Sequence, residues 1–332
     1  MRAWLLDSFS GVEHLRLGEV DPPQAGPGEI LLKLQFAALN PADAFLAQGQ
    51  YPAKPKLPHI LGRDGAGEVV AVGAGVSEFH VGDRAAVLRC EAGVNLPGTL
   101  ADFVAIPAAS AVPIPQGWSL EETAAAPLVF LTAWQALTQW SEPPDTPAPG
   151  SVVLVTGASG GVGTATLLLA KSMNLSVVAL SRSEEKRKEL LSLGADFVFD
   201  PSLADLRKAV AEAIQPRQVD LAIDSVAGPL FAQVIAMLGF NGRASVVGRS
   251  AGTVPDFNTA TLFFRRLRIG GVTASDFTRE AAQATWLEVV RRLNATGARP
   301  VIDSVHSFGD VKTAFAQLAR GPMGKVLVRI AS

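Results

Sequence analysis

The stretch VLVTGASGGVG, residues 153–163, decides the fold of this chain of 332 residues. Its first part is a run of apolar, mostly β-branched residues typical of a buried strand, and its second part consists of small residues that suit a tight turn. The apolar segment TLLLAKSM (166–173) follows at once and predicts a helix. The stretch therefore predicts a strand, a glycine-rich turn and a helix in direct succession.

The composition of this turn indicates what it binds. A dinucleotide pyrophosphate binds at a helix N-terminus, where free N–H groups and the helix dipole favour an anion. Large side chains in the turn would hold the phosphates away, and small residues from Ala158 onward avoid this. Because the pattern follows a strand and opens a helix, it is typical of dinucleotide binding rather than of tight packing alone. The predicted cofactor-binding residues here are Ser159, Gly160, Gly161, Val162 and Gly163.

The end of the next predicted strand bears on which dinucleotide is bound. An enzyme specific for NAD places an acid about 20 residues after the turn, where it holds the ribose 2′-hydroxyl. In this chain SVVAL (176–180) is followed by Ser181 and Arg182, and Lys186 lies one turn into the next helix. A hydroxyl and two cations attract a 2′-phosphate, whereas a carboxylate would repel it. These residues predict NADPH as the cofactor, unless the two cations form only a solvated helix start.

Strands and helices alternate through the second half of the chain. This alternation predicts an α/β fold with a doubly wound parallel sheet. The helix at 184–193 is expected to be closed by Gly194. The predicted strands are 151–155, 176–180, 196–200, 219–224, 243–248 and 268–273, and further helices lie around 203–214 and 229–239.

The first 120 or so residues have a different pattern. Short segments such as EILLKLQFAAL (29–39) and DRAAVL (83–88) are separated by frequent Gly and Pro. Glycines clustered at 62–75 suit bulges and tight bends in a curved sheet. These features predict an irregular, barrel-like β domain. The final segment, with helices at 279–293 and 310–319 and a last strand KVLVRI, is expected to return and complete it.

The composition disfavours several classes of protein. A formal net charge of −2 leaves no basic footprint for nucleic acid or an acidic membrane. The single cysteine, Cys90, excludes an internal disulfide framework and a zinc site of several thiolates. The start, MRAWLLDSF, does not resemble a signal peptide, and no apolar run approaches the roughly 18 residues that span a bilayer. We therefore expect a cytoplasmic protein that acts on a small molecule, with a stiff proline-rich loop at 141–150.

Six segments, in order along the chain, resemble the medium-chain dehydrogenase/reductase superfamily. The match covers essentially the whole chain. The short-chain dehydrogenases share the glycine pattern but place a tyrosine well after it, and here the only tyrosine, Tyr51, precedes it. The six segments are NPADAFLAQGQYP (40–52), LPHILGRDGAGEVVAVG (57–73), GDRAAVL (82–88), GTLADFVAIPA (98–108), ETAAAPLVFLTAWQAL (122–137) and TGASGGVG (156–163).

The resemblance implies a domain organisation and further site residues. It implies a GroES-like β-barrel catalytic domain at 1–124, a Rossmann cofactor domain at 125–274 and a C-terminal return at 275–332. It also implies an active cleft between the two domains and a homodimer formed by pairing the last Rossmann strands of two subunits. Further cofactor contacts are implied at Thr132, Val226, Gly248, Arg249, Thr273 and Lys325.

The chain departs from the zinc-dependent members of the superfamily at the metal site. Those members carry a cysteine near the position of Asn40–Asp43 and a histidine where this chain has Arg63. The lobe of four cysteines that often holds a structural zinc is reduced to Cys90. We therefore expect no metal, and the pattern NP-x-D followed by QGQYP resembles the zinc-independent quinone oxidoreductase and enoyl reductase branch. The four histidines, His14, His59, His80 and His306, lack metal spacing, and three of them are expected in solvent or in turns.

A site without zinc lacks the Lewis acid that polarises an alcohol or a carbonyl. We therefore expect hydride transfer from NADPH to a quinone or an α,β-unsaturated carbonyl, with donors that stabilise an oxyanion. The candidate catalytic residues are Asn40, a donor to the nicotinamide ribose or the substrate oxygen, and Tyr51, which matches a proposed proton donor of related enoyl-thioester reductases. A turn role for Asn40 and a packing role for Tyr51 stay open. Asp43 is expected to cap a helix, and Arg63 to pair with Asp64 or Asp43.

Two functions from different classes fit these residues. The first is a zinc-free, NADPH-dependent reductase of quinones or activated enones, and the second is a non-catalytic NADPH-binding protein with a sensing or structural role. Retention of Asn40, Tyr51 and a complete glycine turn favours the enzyme. An alcohol dehydrogenase is less favoured. The choice among quinone, enone and enoyl thioester depends on loops at 89–98 and 250–262, whose shape the sequence does not specify.

Overall fold

The computed structural model describes residues 1–89, 91–140, 147–253 and 257–331. The chain divides into two compact units. Unit 1 comprises Met1–Leu128, Phe277–Leu287 and Arg299–Ser332, and unit 2 comprises Val129–Asp276 and Glu288–Ala298. Cys90 and parts of the predicted loops at 89–98, 141–150 and 250–262 lie outside the described residues.

The secondary structure follows the predicted succession of β-rich and alternating regions. The strands are β1 (Arg2–Leu6), β2 (Arg16–Glu19), β3 (Glu29–Ala38), β4 (His59–Ile60), β5 (Asp64–Val72), β6 (Arg84–Val87), β7 (Phe103–Pro107), β8 (Ala111–Pro113), β9 (Val152–Val155), β10 (Ser176–Leu180), β11 (Phe197–Phe199), β12 (Val219–Asp224), β13 (Leu238–Val246), β14 (Arg268–Gly271), β15 (Ile302–Ser307) and β16 (Lys325–Arg329). The α-helices are α1 (Pro41–Ala47), α2 (Leu120–Ala125), α3 (Pro127–Thr138), α4 (Gly161–Ser172), α5 (Glu184–Ser192), α6 (Leu206–Ile214), α7 (Leu230–Met237), α8 (Ala260–Arg265), α9 (Arg279–Thr296) and α10 (Val311–Ala319).

Unit 1 is built around the long strand β3. The larger sheet has the order β15-β16-β3-β5-β6-β8, with β7 also paired to β3, and a smaller sheet has the order β2-β1-β4. Ile30, Leu32 and Leu34 are buried on alternate positions of β3, as expected for a strand with one face on the core. The strands β16 and β5 both pair antiparallel with β3, and both reach Ala38 near its end. The register therefore brings three segments that are distant in sequence to one place.

Unit 2 is built on six parallel strands in the order β11-β10-β9-β12-β13-β14. All four residues of β9 are buried, as in parallel sheets whose two faces are covered by helices. The strand order reverses between β9 and β12, and in doubly wound sheets ligands bind at the carboxyl ends of the strands beside such a reversal. The predicted doubly wound parallel sheet is confirmed, and Gly194 closes α5 with the expected positive φ of 103°.

The helices of both units have lengths and compositions typical of globular proteins. The helix α4 buries most of its apolar residues against the parallel sheet, with Leu167 and Leu169 inaccessible to solvent. The longest helix, α9, has 18 residues and carries several charges. No helix in the described part of the chain is both long and apolar enough to cross a membrane.

Candidate functional site

The glycine-rich turn of unit 2 connects β9 to α4. Gly160 is the N-cap of α4 and provides no side chain to satisfy the N–H groups of the first helical turn. Gly163 lies against the turn itself, where a Cβ atom would be 2.4 Å from the carbonyl oxygen of Gly157. Close packing at Gly163 and the open cap at Gly160 leave backbone N–H groups that suit an anionic phosphate. The turn thus fits the pyrophosphate of a dinucleotide.

The predicted 2′-phosphate residues lie at the end of β10 and the start of α5. Ser181 is buried, Arg182 is exposed and Lys186 is half-buried. Ser183 is the N-cap of α5, and its hydroxyl accepts a hydrogen bond of 3.3 Å from the Lys186 backbone N–H. The cap stabilises the first turn of α5 and so fixes the backbone position of Lys186.

Arg187 holds this segment together, and the sequence analysis missed it. Its Nη1 atom donates to the carbonyl oxygens of Ser181 at 2.7 Å and Arg182 at 3.0 Å, and to Asp200 Oδ2 at 3.1 Å. Within the highly charged run EEKRKE (184–189), no pattern distinguished Arg187 from its neighbours. Asp200 follows β11, and only the parallel pairing of β10 with β11 brings its carboxylate to Arg187.

The other predicted cofactor residues of unit 2 follow its remaining strands. Val226 comes directly after β12, Gly248 and Arg249 come after β13, and Thr273 comes after β14. Because all six strands are parallel, these residues share the edge of the sheet that also carries the glycine turn. Thr132 is half-buried in α3.

A buried carboxylate organises the end of β12. Asp224 is inaccessible to solvent, and its Oδ1 atom accepts hydrogen bonds from the Thr156 hydroxyl at 2.5 Å and the Val226 N–H at 3.0 Å. Thr156 belongs to the glycine-rich segment, so this carboxylate ties the loop after β12 to the turn after β9. The sequence pattern predicted VDLAID (219–224) as a strand, and nothing in that pattern indicated this role for Asp224.

Unit 1 contains a buried polar cluster formed by Asn40, Asp64 and Lys325. The Lys325 ammonium donates to Asn40 Oδ1 at 2.6 Å and to Asp64 Oδ2 at 3.1 Å. The Asn40 amide nitrogen in turn donates to Asp64 Oδ2 at 2.9 Å. The three side chains are at most 4% exposed. A charged pair at this depth is stable only when such additional hydrogen bonds satisfy both ions.

Backbone contacts complete this cluster. The second oxygen of the Asp64 carboxylate accepts a hydrogen bond of 3.1 Å from the Leu128 N–H, in the first turn of α3. A carboxylate at a helix N-terminus also interacts favourably with the helix dipole. Gly62, two residues earlier, has φ of 100°, and a Cβ there would lie 2.4 Å from the Thr99 hydroxyl oxygen. The segment that leads into β5 is therefore held closely in place.

Both predicted site residues in this cluster bond to other residues of unit 1. Asn40 and Lys325 were predicted from position to contact the cofactor or the substrate, and that role stays a prediction. The importance of Asp64 was missed in sequence analysis, except as a partner considered for Arg63. Its place within GRDGAG marks a strand start, and only the pairing of β5 and β16 with β3 reveals its neighbours.

Asp43 lies beside the cluster at the start of α1. Its Oδ2 atom accepts a hydrogen bond of 2.8 Å from the Asn40 backbone N–H, which is the expected capping contact. Its Oδ1 atom is buried without a hydrogen-bond partner in the described part of the chain. Burial raises the pKa of Asp43 to about 6, against the lowering effects of the Asn40 N–H and the positive charges of Arg63 and Lys325. The carboxyl therefore changes its ionisation near neutral pH.

The predicted pairing of Arg63 with Asp64 or Asp43 is wrong. Lys325 takes the place of Arg63 at Asp64, and no ion pair joins Arg63 to either aspartate. The reason is that the pairing of β16 with β3 brings the Lys325 ammonium to Asp64, where it forms the ion pair expected of Arg63. Arg63 instead donates from Nη1 to the Tyr51 hydroxyl at 3.3 Å. Two residues that were considered separately thus form one contact.

One of the four histidines, His59, is buried. This residue is 4% exposed and lies in β4, where it pairs with Leu6 of β1. Burial lowers the pKa of its imidazole below the usual value, although a backbone contact with Gly93 opposes the shift. No group of three or more metal-ligating His, Cys, Asp or Glu side chains occurs among the residues that the structure describes.

Family models match both halves of the chain. The model described as alcohol dehydrogenase GroES-like domain matches residues 26–116, and that described as zinc-binding dehydrogenase matches residues 161–295. The chain is also 30% identical to the quinone oxidoreductase of Rattus norvegicus over 331 residues, which cover 99% of this chain and 97% of that protein. The predicted GroES-like and Rossmann domains are thereby confirmed.

Solved structures give the same result. A crystal structure of an NAD-dependent alcohol dehydrogenase matches with a TM-score of 0.91 and 31% identity, covering 100% of both chains. A mycobacterial protein in complex with NADPH matches with a TM-score of 0.89 and 28% identity, covering 99% of this chain and 100% of that one. This chain belongs to the medium-chain dehydrogenase/reductase family, in its quinone oxidoreductase branch, and is an oxidoreductase with the pyridine-nucleotide-binding fold of that family.

Proposed function

We propose that this protein is a zinc-independent reductase that uses NADPH to reduce a quinone or an α,β-unsaturated carbonyl. The observation that carries the proposal is the buried cluster of Asn40, Asp64 and Lys325. Near the position where zinc-dependent members of the family carry a cysteine, this chain has Asn40, whose amide bonds to the Asp64 carboxylate and the Lys325 ammonium, and where they carry a histidine it has Arg63. An ammonium already bonded to Asp64 competes with any metal cation for the same carboxylate.

The absence of a group of metal ligands among the residues that the structure describes favours acceptors that need no Lewis acid. When bound, the reduced nicotinamide supplies a hydride, and a quinone or an enone accepts it because the added charge delocalises onto oxygen. The chain then has to orient the acceptor and supply a proton. Tyr51 is the proposed proton donor, since the residue is half-buried and packs against the core of unit 1.

The proposed preference for NADPH rests on the segment after β10. The segment offers one hydroxyl, from Ser181, and two cations, from Arg182 and Lys186. Arg187 donates hydrogen bonds to the backbone carbonyl oxygens of Ser181 and Arg182. The glutamates that begin α5 are exposed, and Glu184 is engaged with Lys188 at 2.9 Å. A 2′-phosphate would therefore meet more positive than negative charge at this strand end. The other predicted cofactor residues of unit 2 stay proposals of the same kind.

One titration followed by one assay tests the proposal. Binding of NADPH and NADH is measured by fluorescence, and oxidation of the bound cofactor is then followed with 1,4-benzoquinone and with a simple enone. Tighter binding of NADPH together with oxidation that depends on the acceptor is the expected result. Binding without oxidation by either acceptor would favour the non-catalytic, sensing alternative. Tighter binding of NADH would contradict the role given to Ser181, Arg182 and Lys186.

An alcohol dehydrogenase is the second candidate, because the solved structure with a TM-score of 0.91 is of an NAD-dependent alcohol dehydrogenase. That activity predicts oxidation of an alcohol with NAD, a stoichiometric metal by elemental analysis and loss of turnover with a chelator. We expect none of the three. A metal bound in equal amount with the protein would overturn zinc independence.

We further propose a homodimer joined at the edge strand β14, in a cytoplasmic protein. β14 pairs with β13 and has no second neighbour in the described part of the chain. Just before it, Phe263 and Phe264 on α8 are 66% and 75% exposed, and their rings are 4.4 Å apart. Exposed aromatic pairs of this kind are typical of protein interfaces. Light scattering should show a dimer that F263S/F264S weakens, whereas V81S, at another exposed apolar residue, should not.

A further inference from the structure

The contact between Arg63 and Tyr51 has no part in the cluster around Lys325. Both side chains are half-buried, and the guanidinium Nη1 atom donates to the phenol oxygen at 3.3 Å. The guanidinium carbon lies 5.9 Å from the ring centroid, close to the outer limit for a cation–π contact. The hydrogen bond to the hydroxyl is therefore the main contact between the two side chains.

This hydrogen bond has only one possible direction. A guanidinium carries donors alone and has no acceptor, so the phenol oxygen must accept. The hydroxyl hydrogen of Tyr51 is then directed away from Arg63 and stays free to donate elsewhere. An isolated hydroxyl rotates among positions, whereas this one has a preferred direction.

Arg63 is itself held from both sides. Gly62 before it adopts a φ of 100° that glycine alone adopts readily, and it packs against Thr99. Asp64 after it is inaccessible to solvent and bonded to Asn40 and Lys325. The backbone at Arg63 is thus anchored by its neighbours. Among the residues that the structure describes, no carboxylate forms an ion pair with its guanidinium, although its positive charge also lowers the pKa of Asp43.

We propose that Arg63 is a positioning residue, which orients the Tyr51 hydroxyl as a proton donor to the reduced substrate. The inference rests on the proposed function. In the reduction of an enone, the hydride that a bound reduced nicotinamide would supply leaves its carbon with the electron pair and forms a C–H bond at the β-carbon, while the C=C π electrons shift to give an enolate. The enolate electron pair then takes the Tyr51 proton at the α-carbon and the C=O bond re-forms, while the Tyr51 O–H bond breaks and leaves its electron pair on the phenol oxygen. A proton from the solvent then restores the phenol, and the nearby guanidinium stabilises the negative oxygen in the interval.

The chain offers a direct readout of this contact, because Tyr51 is its only tyrosine. The doublet of tyrosine ring bands in the Raman spectrum changes its intensity ratio according to whether the phenol accepts or donates a hydrogen bond. The spectrum of the full-length protein reports on Tyr51 alone. We compare Arg63→Met, which removes the donor, and Arg63→Lys, which keeps the charge and a donor. Arg16→Met makes the same change at an exposed arginine paired with Asp7.

We expect Arg63→Met to shift the doublet away from the acceptor state and to lower kcat with an enone about tenfold, a fraction of the roughly 10²–10⁴-fold that a positioned general acid contributes. Arg63→Lys should recover part of both effects, and Arg16→Met should change neither. The affinity for NADPH should stay the same in all three, and their melting temperatures show that they fold. An unchanged doublet in Arg63→Met would overturn the contact, and a shifted doublet with unchanged kcat would overturn its catalytic consequence.

The same experiment separates this inference from the proposed function. If the wild-type protein oxidises NADPH with none of the acceptors, the reductase proposal fails, and with it the catalytic role of Arg63. The Raman comparison then still decides whether Arg63 orients the Tyr51 hydroxyl. If the wild type is active and Tyr51→Phe is as active, Tyr51 is not the proton donor, and the proposed positioning role of Arg63 is wrong.

Discussion

The two candidate sites of this protein are built in opposite ways. The turn between β9 and α4 in unit 2 offers backbone N–H groups and has almost no side chains of its own. The cluster in unit 1 consists of side chains from Asn40, Asp64 and Lys325, which bond to one another and are hidden from solvent. The first site depends on the absence of side chains, and the second depends on three particular ones. Substitutions should therefore damage them in different ways.

The largest effect is expected at the buried ion pair. Asp64→Asn leaves the Lys325 ammonium buried without its counter-ion, and breaking such a pair typically lowers the free energy of unfolding by about 3–5 kcal/mol. Urea denaturation measures the loss. The double variant Asp64→Asn, Lys325→Met removes both charges and should be more stable than the sum of the single effects predicts. Additive losses would contradict the direct interaction of the two groups.

The next effect concerns pH and Asp43. Because the pKa of Asp43 is raised from 3.8 to about 6, the folded state holds this proton more tightly than the unfolded state. Its contribution to stability is therefore full below pH 3.8 and is lost as the pH rises through about 6. At about 1.4 kcal/mol per pKa unit, the loss is about 3 kcal/mol.

Asp43→Asn should remove this dependence, since its amide oxygen can still accept from the Asn40 N–H. Denaturation of both proteins between pH 4 and pH 8 measures the difference in unfolding free energy. The variant should gain stability relative to the wild type as the pH rises through about 6. Parallel curves would show that the carboxyl does not titrate in this range.

A smaller loss of stability is expected in the glycine turn. A Cβ atom at Gly163 would lie 2.4 Å from the Gly157 carbonyl oxygen, whereas one at Gly160 would lie 3.4 Å from the same atom. Overpacking of this kind typically lowers stability by about 1–3 kcal/mol. Gly163→Ala should therefore lower the melting temperature and the affinity for NADPH, while Gly160→Ala should leave the melting temperature unchanged. Equal melting temperatures for the two variants would contradict the close packing at Gly163.

The smallest effect is expected at the exposed end of β10. Arg182→Ala removes one cation from the proposed 2′-phosphate site, so the Kd for NADPH should rise about tenfold, as for the loss of one charge-assisted hydrogen bond. The Kd for NADH should not change. The matched control is Lys188→Ala, at an exposed lysine of the following helix α5. A rise in both dissociation constants would indicate a general effect on the segment.

Local sequence patterns were sufficient for unit 2. Its strands are short apolar runs, its turn is marked by glycines, and α5 ends at a glycine, so each element is encoded by neighbouring residues. The prediction of Ser181, Arg182 and Lys186 followed from their place at a strand end. Arg187 escaped notice because its partners Ser181 and Asp200 meet it only after β10 and β11 pair.

Local patterns were insufficient for unit 1. The prediction that Arg63 pairs with Asp64 or Asp43 failed because the pairing of β16 with β3 brings Lys325 to Asp64 instead. The burial of His59 was not predicted, because no neighbouring residue shows that its two-residue strand pairs with β1. In both cases the outcome depended on which strands pair, and that depends on residues far along the chain.

The residues alone indicated a doubly wound sheet and a phosphate-binding turn, because each follows from residue types at close spacing. The tertiary structure alone decided that Lys325 and not Arg63 neutralises Asp64, and that Arg63 bonds to Tyr51. The physical reason is the register of β5 and β16 against β3, which joins positions 40, 64 and 325 at the end of one strand.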